Sequence, residues 1–168
     1  MRTITLSSKL FFILAFVFYA GCTGLPSISI APGGVPPCAR YGPARVDIIP
    51  LTSLVAASDA SHNSTINAYV CLVDSFDSQI KSPAVFRFEL FEHLHRSTDP
   101  KGKRFVIWPD IDLTDPALNN NHWQDFLRAY LFSLPMSKPF ADACILHVTC
   151  FCPSGKRLSA DFAVKSAR

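Results

Sequence analysis

The chain has 168 residues, 49% of them hydrophobic and 17% charged, with 16 lysines and arginines against 13 aspartates and glutamates. That length holds one folded domain and excludes two large ones. Arg2 and Lys9 fall in the first few residues, so the rest of the chain is almost neutral, which argues against a nucleic-acid partner because such a partner needs a clustered basic surface.

Arg2 and Lys9 precede the apolar run Leu10, Phe11, Phe12, Ile13, Leu14, Ala15, Phe16, Val17 and Phe18, which ends at Tyr19, Ala20, Gly21 and Cys22. A charged start, a greasy middle and small residues at the end have the order of a secretory signal peptide over residues 1–21. The run is too short for a spanning helix, which needs roughly 20 apolar residues. Tyr19, Ala20, Gly21 and Cys22 resemble the lipobox of bacterial lipoproteins, in which the cysteine is acylated and becomes the first residue after cleavage. Small side chains admit the backbone to the peptidase, and only a thiol forms the lipid thioether. That family usually has leucine three residues before the cysteine, where this chain has Tyr19. The alternatives are an ordinary leader with Cys22 in a disulfide, or an uncleaved signal anchor. The resemblance implies fatty acylation of Cys22 and membrane lipid as a partner; Thr23 after the cysteine implies the outer membrane, facing the periplasm.

Residues 22–43 carry Pro26, Pro32, Gly33, Gly34, Pro36, Pro37, Gly42 and Pro43, which prevents a helix or a central strand and predicts a semi-extended tether. At about 3.1 Å per residue in polyproline geometry it reaches up to roughly 60 Å from the bilayer.

From residue 44 to 168 the apolar residues fall into short runs separated by turn chemistry, the pattern of a single antiparallel β-sandwich of the immunoglobulin or transthyretin kind. Seven strands are predicted, at 45–51, 66–74, 85–92, 104–108, 127–134, 144–152 and 158–164. In the clearest, Phe86, Phe88 and Leu90 point one way while Arg87 and Glu89 point the other. Asp99, Pro100, Lys101 and Gly102, and Pro153, Ser154, Gly155 and Lys156, predict tight hairpin turns. One or two helical turns are expected at 119–125. Trp123, Phe126, Leu127 and Tyr130 also fit a helical stripe, so a longer helix at 123–134 stands as the alternative.

With Cys22 assigned to lipid, Cys38, Cys71, Cys144, Cys150 and Cys152 remain, an odd number in a compartment that permits disulfides; a disulfide and buried free thiols are the two readings, and no pairing follows from the sequence. Alternation puts Cys150 and Cys152 on the strand face opposite His147, so those three cannot share a metal, and no metal site is expected. Asp110, Asp112 and Asp115, followed by Asn119, Asn120 and Asn121, offer oxygen ligands to calcium or caps to turns and a short helix, and the second use is the expected one. Asn63, Ser64 and Thr65 match a glycosylation acceptor, which matters only in a host that glycosylates exported chains, and the lipobox resemblance implies a host that does not. His62, His93, His95, His122 and His147 accompany no hydrolase, zinc-protease or nucleotide-binding motif, so neither a catalytic residue nor a cofactor is expected.

The whole resembles a group of bacterial envelope lipoproteins with lipobox, Pro-rich tether and one sandwich, and more distantly the TssJ outer-membrane lipoproteins of type VI secretion. The resemblance implies a non-catalytic module that binds another envelope protein. Residues 108–121 are the expected contact surface, with Trp108, Asp110, Asp112, Asn120 and Trp123 as contact residues, Trp108 and Trp123 serving either as core or as interface. A periplasmic hydrolase or a calcium-dependent binding domain using the same loop is the competing expectation.

Overall fold

The computed structural model describes residues 41–55, 64–136 and 143–165. Residues 1–40, which hold the expected signal peptide, Cys22 and the expected tether up to Cys38, and His62 and Asn63 lie outside them. The described residues form the two antiparallel sheets expected of an all-β sandwich, with one short helix.

The first sheet is built on β3 (Ser64–Val73), whose Ile66, Ala68, Val70 and Leu72 are fully buried. On one edge it pairs with β1 (Arg45–Ile48) and then β2 (Ser53–Val55). Ile48 pairs with Val70 and Ser53 with Asn67, so the intervening residues bulge out of the ladder. Pro50 sits in this bulge, and the buried Thr52 hydroxyl accepts the Tyr69 N–H at 3.0 Å, replacing a missing ladder bond. The predicted strand 45–51 therefore breaks at Ile48. The other edge of β3 pairs with β4 (Gln79–Ile80) and with β9 (Ala129–Met136), and β9 in turn with β8 (Trp123–Gln124).

The second sheet runs β11 (Arg157–Val164), β10 (Cys144–Phe151), β5 (Val85–His93), β6 (Lys101–Ile107), with β7 (Ile111–Asp112) continuing the β6 edge of β5. Gly155, at φ +80°, makes the predicted turn between β10 and β11, where the Cys152 N–H bonds the Lys156 carbonyl at 2.9 Å. The other predicted turn lies earlier than expected: Lys101 and Gly102 are already in β6, and the chain reverses before Pro100, whose carbonyl accepts the Leu94 N–H.

Phe86 and Phe88 of β5 meet Phe132 of β9 with ring centroids 5.0 and 4.8 Å apart, which fixes how the sheets face each other. Strands β1 and β11 pack together at one side. The helix α1 (Pro116–His122) precedes β8. It starts earlier than predicted because Asp115 caps it, its carboxylate accepting from the Ala117 and Leu118 N–H groups at 2.9 Å, with Pro116 at the first helical position. The alternative of a long helix at 123–134 is overturned, since Trp123 faces Tyr130 across two paired strands.

Candidate partner-binding surface

The open edge of β9 explains Trp108. Because β8 is only two residues long, the rest of β9 has no strand beside it on that side among the described residues. Side chains take the place of a strand. His122 Nδ1 lies 2.9 Å from the Leu131 carbonyl and donates to it, while Trp108 Nε1 donates to the Pro135 carbonyl at 2.9 Å. Pro135 itself has no N–H to leave unpaired. Trp108 is 7% exposed and belongs to the core, so the expectation of a contact residue at this position is corrected. Its indole crosses from the end of β6 to the opposite sheet and clamps the two together.

The acidic loop is likewise employed within the domain. Arg87 Nε and Nη2 donate to the two Asp110 oxygens at 2.8 and 2.7 Å, a bidentate pair that holds the Asp110 carboxyl below its usual range. The Thr114 hydroxyl and N–H bond the Asp112 carboxylate, which lowers its pKa as well. Asp115 is the helix cap. Each carboxylate thus has its own partner, and among the described residues no three His, Cys, Asp or Glu side chains are placed to hold a metal ion.

Of the three consecutive asparagines, Asn119 is the buried one. Its Nδ2 donates to the Leu113 carbonyl at 2.9 Å and the Ser82 carbonyl at 3.1 Å, and its Oδ1 lies 3.1 Å from the Tyr130 hydroxyl. Ser82 N–H donates to that same hydroxyl at 2.9 Å. This node ties α1 and the chain before β5 to the core, and burial raises the Tyr130 pKa. Asn120, by contrast, is exposed and accepts from Lys81 Nζ at 2.6 Å; Lys81 also lies over the Trp123 ring, 5.6 Å from its centroid.

Trp123 is half-buried against the core, and its Nε1 donates to Asp125 at 2.8 Å. That bond begins a rigid turn between β8 and β9. Leu127 N–H bonds the Gln124 carbonyl, Arg128 adopts φ +49°, and Arg128 Nη2 donates to the Gln79 carbonyl at 2.7 Å. At the tip stands Phe126, 98% exposed. Leu118 of α1 is half exposed on the same stretch of chain. The sequence pattern places Phe126 only within a helical stripe; the signal that points to its turn is Asp125 beside it. Of the five expected contact residues, Asn120 and Trp123 lie on this surface, while Trp108 is core, Asp110 pairs with Arg87 and Asp112 holds its own turn.

The cysteines carry no disulfide at Cys71, Cys150 or Cys152, a correction for those three positions. Cys150 and Cys152 are inside the core with Cys144, and His147 is on the other face of β10, as alternation requires. Burial first, and the adjacent Cys152 second, push the Cys150 thiol well above its ordinary pKa, so it packs as a small apolar group. Cys71 floors a shallow cleft of about 400 Å³ on the outside of the first sheet, among Arg45, Asp47, Asp77, Gln79 and Arg128. Arg45 is paired with Asp47 and Asp77 there, and burial followed by the Asp47 charge raises the thiol pKa.

The outer face of the second sheet carries an ion-pair ladder: Arg104 with Glu89 at 2.8 Å, and Lys101 with Asp161 at 3.0 Å. His147 Nδ1–H donates to Asp161 at 2.5 Å, and its Nε2 lies 3.2 Å from the Thr149 hydroxyl. This has the order of a hydrolase relay, but Thr149 is 1% exposed, which puts its hydroxyl out of a substrate's reach. Burial raises the Asp161 pKa, and the bonds and charges of Lys101 and His147 outweigh it, leaving the carboxyl below its usual range. Asp161 therefore adds stability above the unfolded carboxyl pKa near 4, and that contribution fades as pH falls below it. With the carboxylate 42% exposed and solvent-screened, we expect at most about 1 kcal/mol. Unfolding midpoints of Asp161→Asn and the parent chain should differ at pH 6 and converge by pH 2 to 3; a constant gap would show that the pairing contributes nothing to the pH dependence. His93 and His95 have rings 4.3 Å apart at the end of β5, with no carboxylate joining them in a metal-binding group.

No protein-family model matches this chain, and no curated protein or solved structure matches it either, so its function has to be read from the chemistry of its own surface.

Proposed function

We propose that this chain is a lipid-anchored envelope lipoprotein whose sandwich is a non-catalytic binding module, held at the outer membrane through acylated Cys22 and docking another envelope protein with the β8–β9 tip. The observation that carries the docking surface is Phe126: a large aromatic side chain 98% exposed on a turn whose backbone is fixed on both sides. Burying a Phe side chain yields about 1.5–3 kcal/mol, and this chain forgoes that gain in its own fold. A rigid aromatic at a tip loses little entropy on entering a partner's apolar pocket, which is how interface anchors contribute most. Leu118, Asn120 and Trp123 supply the surrounding contacts. The tether and anchor supply the rest of the affinity, because confinement at the membrane raises the local concentration of the partner.

A photo-crosslinking amino acid placed at position 126 in intact cells should yield a discrete adduct. Phe126→Ser in the otherwise native chain should abolish the association in a reciprocal pull-down of that adduct's protein. The variant's stability should stay within about 0.5 kcal/mol of the parent, as for exposed positions generally. Retained association with Phe126→Ser would remove this tip as the docking site.

A further inference from the structure

We infer that the open edge of β6 is a second binding site, separate from the Phe126 tip, which takes an extended peptide segment of alternating apolar and acidic residues as an added antiparallel strand. Among the described strands β6 pairs with β5 alone. The Trp108 N–H bonds the Phe88 carbonyl, and the paired positions then alternate, Leu90 with Val106 and Glu89 with Ile107. In an antiparallel ladder the intervening residue turns its own N–H and C=O away from the neighbour, so those of Ile107 face outward, ready for a further strand. Phe105 sits where the register slips between Leu90 and Phe91, and both Phe105 and Ile107 are 50% exposed, two apolar side chains on one short edge.

The charges select the occupant. Every charged residue of β6 is basic: Lys101, Lys103 and Arg104. Of the acids of the same hairpin, Glu89 and Glu92 are on β5, and Asp99 is in the turn, where it accepts the Lys101 N–H. Lys101 and Arg104 are held by Asp161 and Glu89, and Lys103 has no carboxylate partner among the described residues. A strand laid beside β6 places its side chains opposite these cations, where acids are favourable and further cations unfavourable. That disfavours pairing of β6 with the β6 of a second copy, which would set cations against cations, and favours a partner strand whose acids lie on the face of Lys101 and Arg104 and whose apolar residues lie on the other face.

The test uses the full chain in detergent and a labelled peptide alternating valine and glutamate, with a valine–lysine peptide as its counterpart. The valine–glutamate peptide should bind at least about tenfold tighter, weaken with added salt, and slow amide exchange at Ile107. Ile107→Pro deletes an outward donor without touching the β5 ladder and should lower affinity about tenfold; Lys103→Glu, a surface change that spares the backbone, should reverse the preference between the two peptides. Equal affinity for both peptides, unchanged exchange at Ile107 in the presence of the valine–glutamate peptide, or protection of this edge by self-association would each overturn the inference. Phe126→Ser should leave peptide binding intact, so failure here and failure of the tip are read independently.

Discussion

Replacing Trp108 with alanine should destabilise the domain by about 3–5 kcal/mol, the range for deleting a buried aromatic side chain. Two losses combine. The indole leaves a cavity between the sheets, and the Pro135 carbonyl loses the indole donor on an edge that, among the described residues, has no strand beside it. A domain of this size is stable by roughly 5–15 kcal/mol, so the variant should unfold at much lower denaturant and, at the weaker end, fail to accumulate. Trp108→Phe separates the two losses: it keeps most of the packing, removes the N–H, and should cost about 1–3 kcal/mol for the unsatisfied carbonyl plus the smaller ring. Urea unfolding followed by circular dichroism measures both. If Trp108→Ala unfolds at the parental midpoint, the residue is not the clamp between sheets that its geometry describes. The pair of variants also decides the old ambiguity of a tryptophan in a loop: a contact residue loses its partner with stability unchanged, and a core residue loses stability first.

The sheets were legible in the sequence because their inward positions follow the period of two, as in Phe86, Phe88 and Leu90. What stayed hidden depends on distant chain. Strands β2, β4, β7 and β8 are two or three residues long, and their extended state comes from the neighbour they pair with rather than from any pattern of their own. Trp108, at the end of the predicted strand 104–108, stood between core and interface because its acceptor, Pro135, is 27 positions away. Three asparagines in a row look alike on paper, and only the meeting of Asn119 with Tyr130 and Ser82 distinguishes the buried one. The helical stripe through Trp123, Phe126, Leu127 and Tyr130 misled for a related reason. Trp123 and Tyr130 do touch, with ring centroids 5.0 Å apart, but across a hairpin, and the turn that makes this contact throws Phe126 outward. Periodicity reports which residues want burial. It does not report which one a turn leaves outside, and that residue is the one on which the proposed docking rests.

Cys22→Ser should move the protein from the membrane pellet to the soluble fraction after an alkaline wash, with the parent chain remaining in the pellet. The expectation follows from chain chemistry alone. A serine hydroxyl cannot form the thioether, so the acyl chains, worth about 0.8 kcal/mol per buried methylene, are lost. Among the described residues no helix is long and apolar enough to span a bilayer. The intact mass of the mature parent should correspond to a chain beginning at Cys22 with fatty-acyl groups attached; a mass matching an unmodified terminus, or a serine variant that is cleaved before position 22 and still stays in the pellet, would discard the lipoprotein reading. The same variant separates anchoring from docking. In cells, crosslinking from position 126 should fall when the anchor is lost, since the domain no longer shares a surface with its partner, while association of the purified proteins in solution should be unchanged because Phe126 is untouched. A fall in both would mean that the tether or its lipid contributes to the contact itself, and the docking surface would then have to extend beyond the β8–β9 tip.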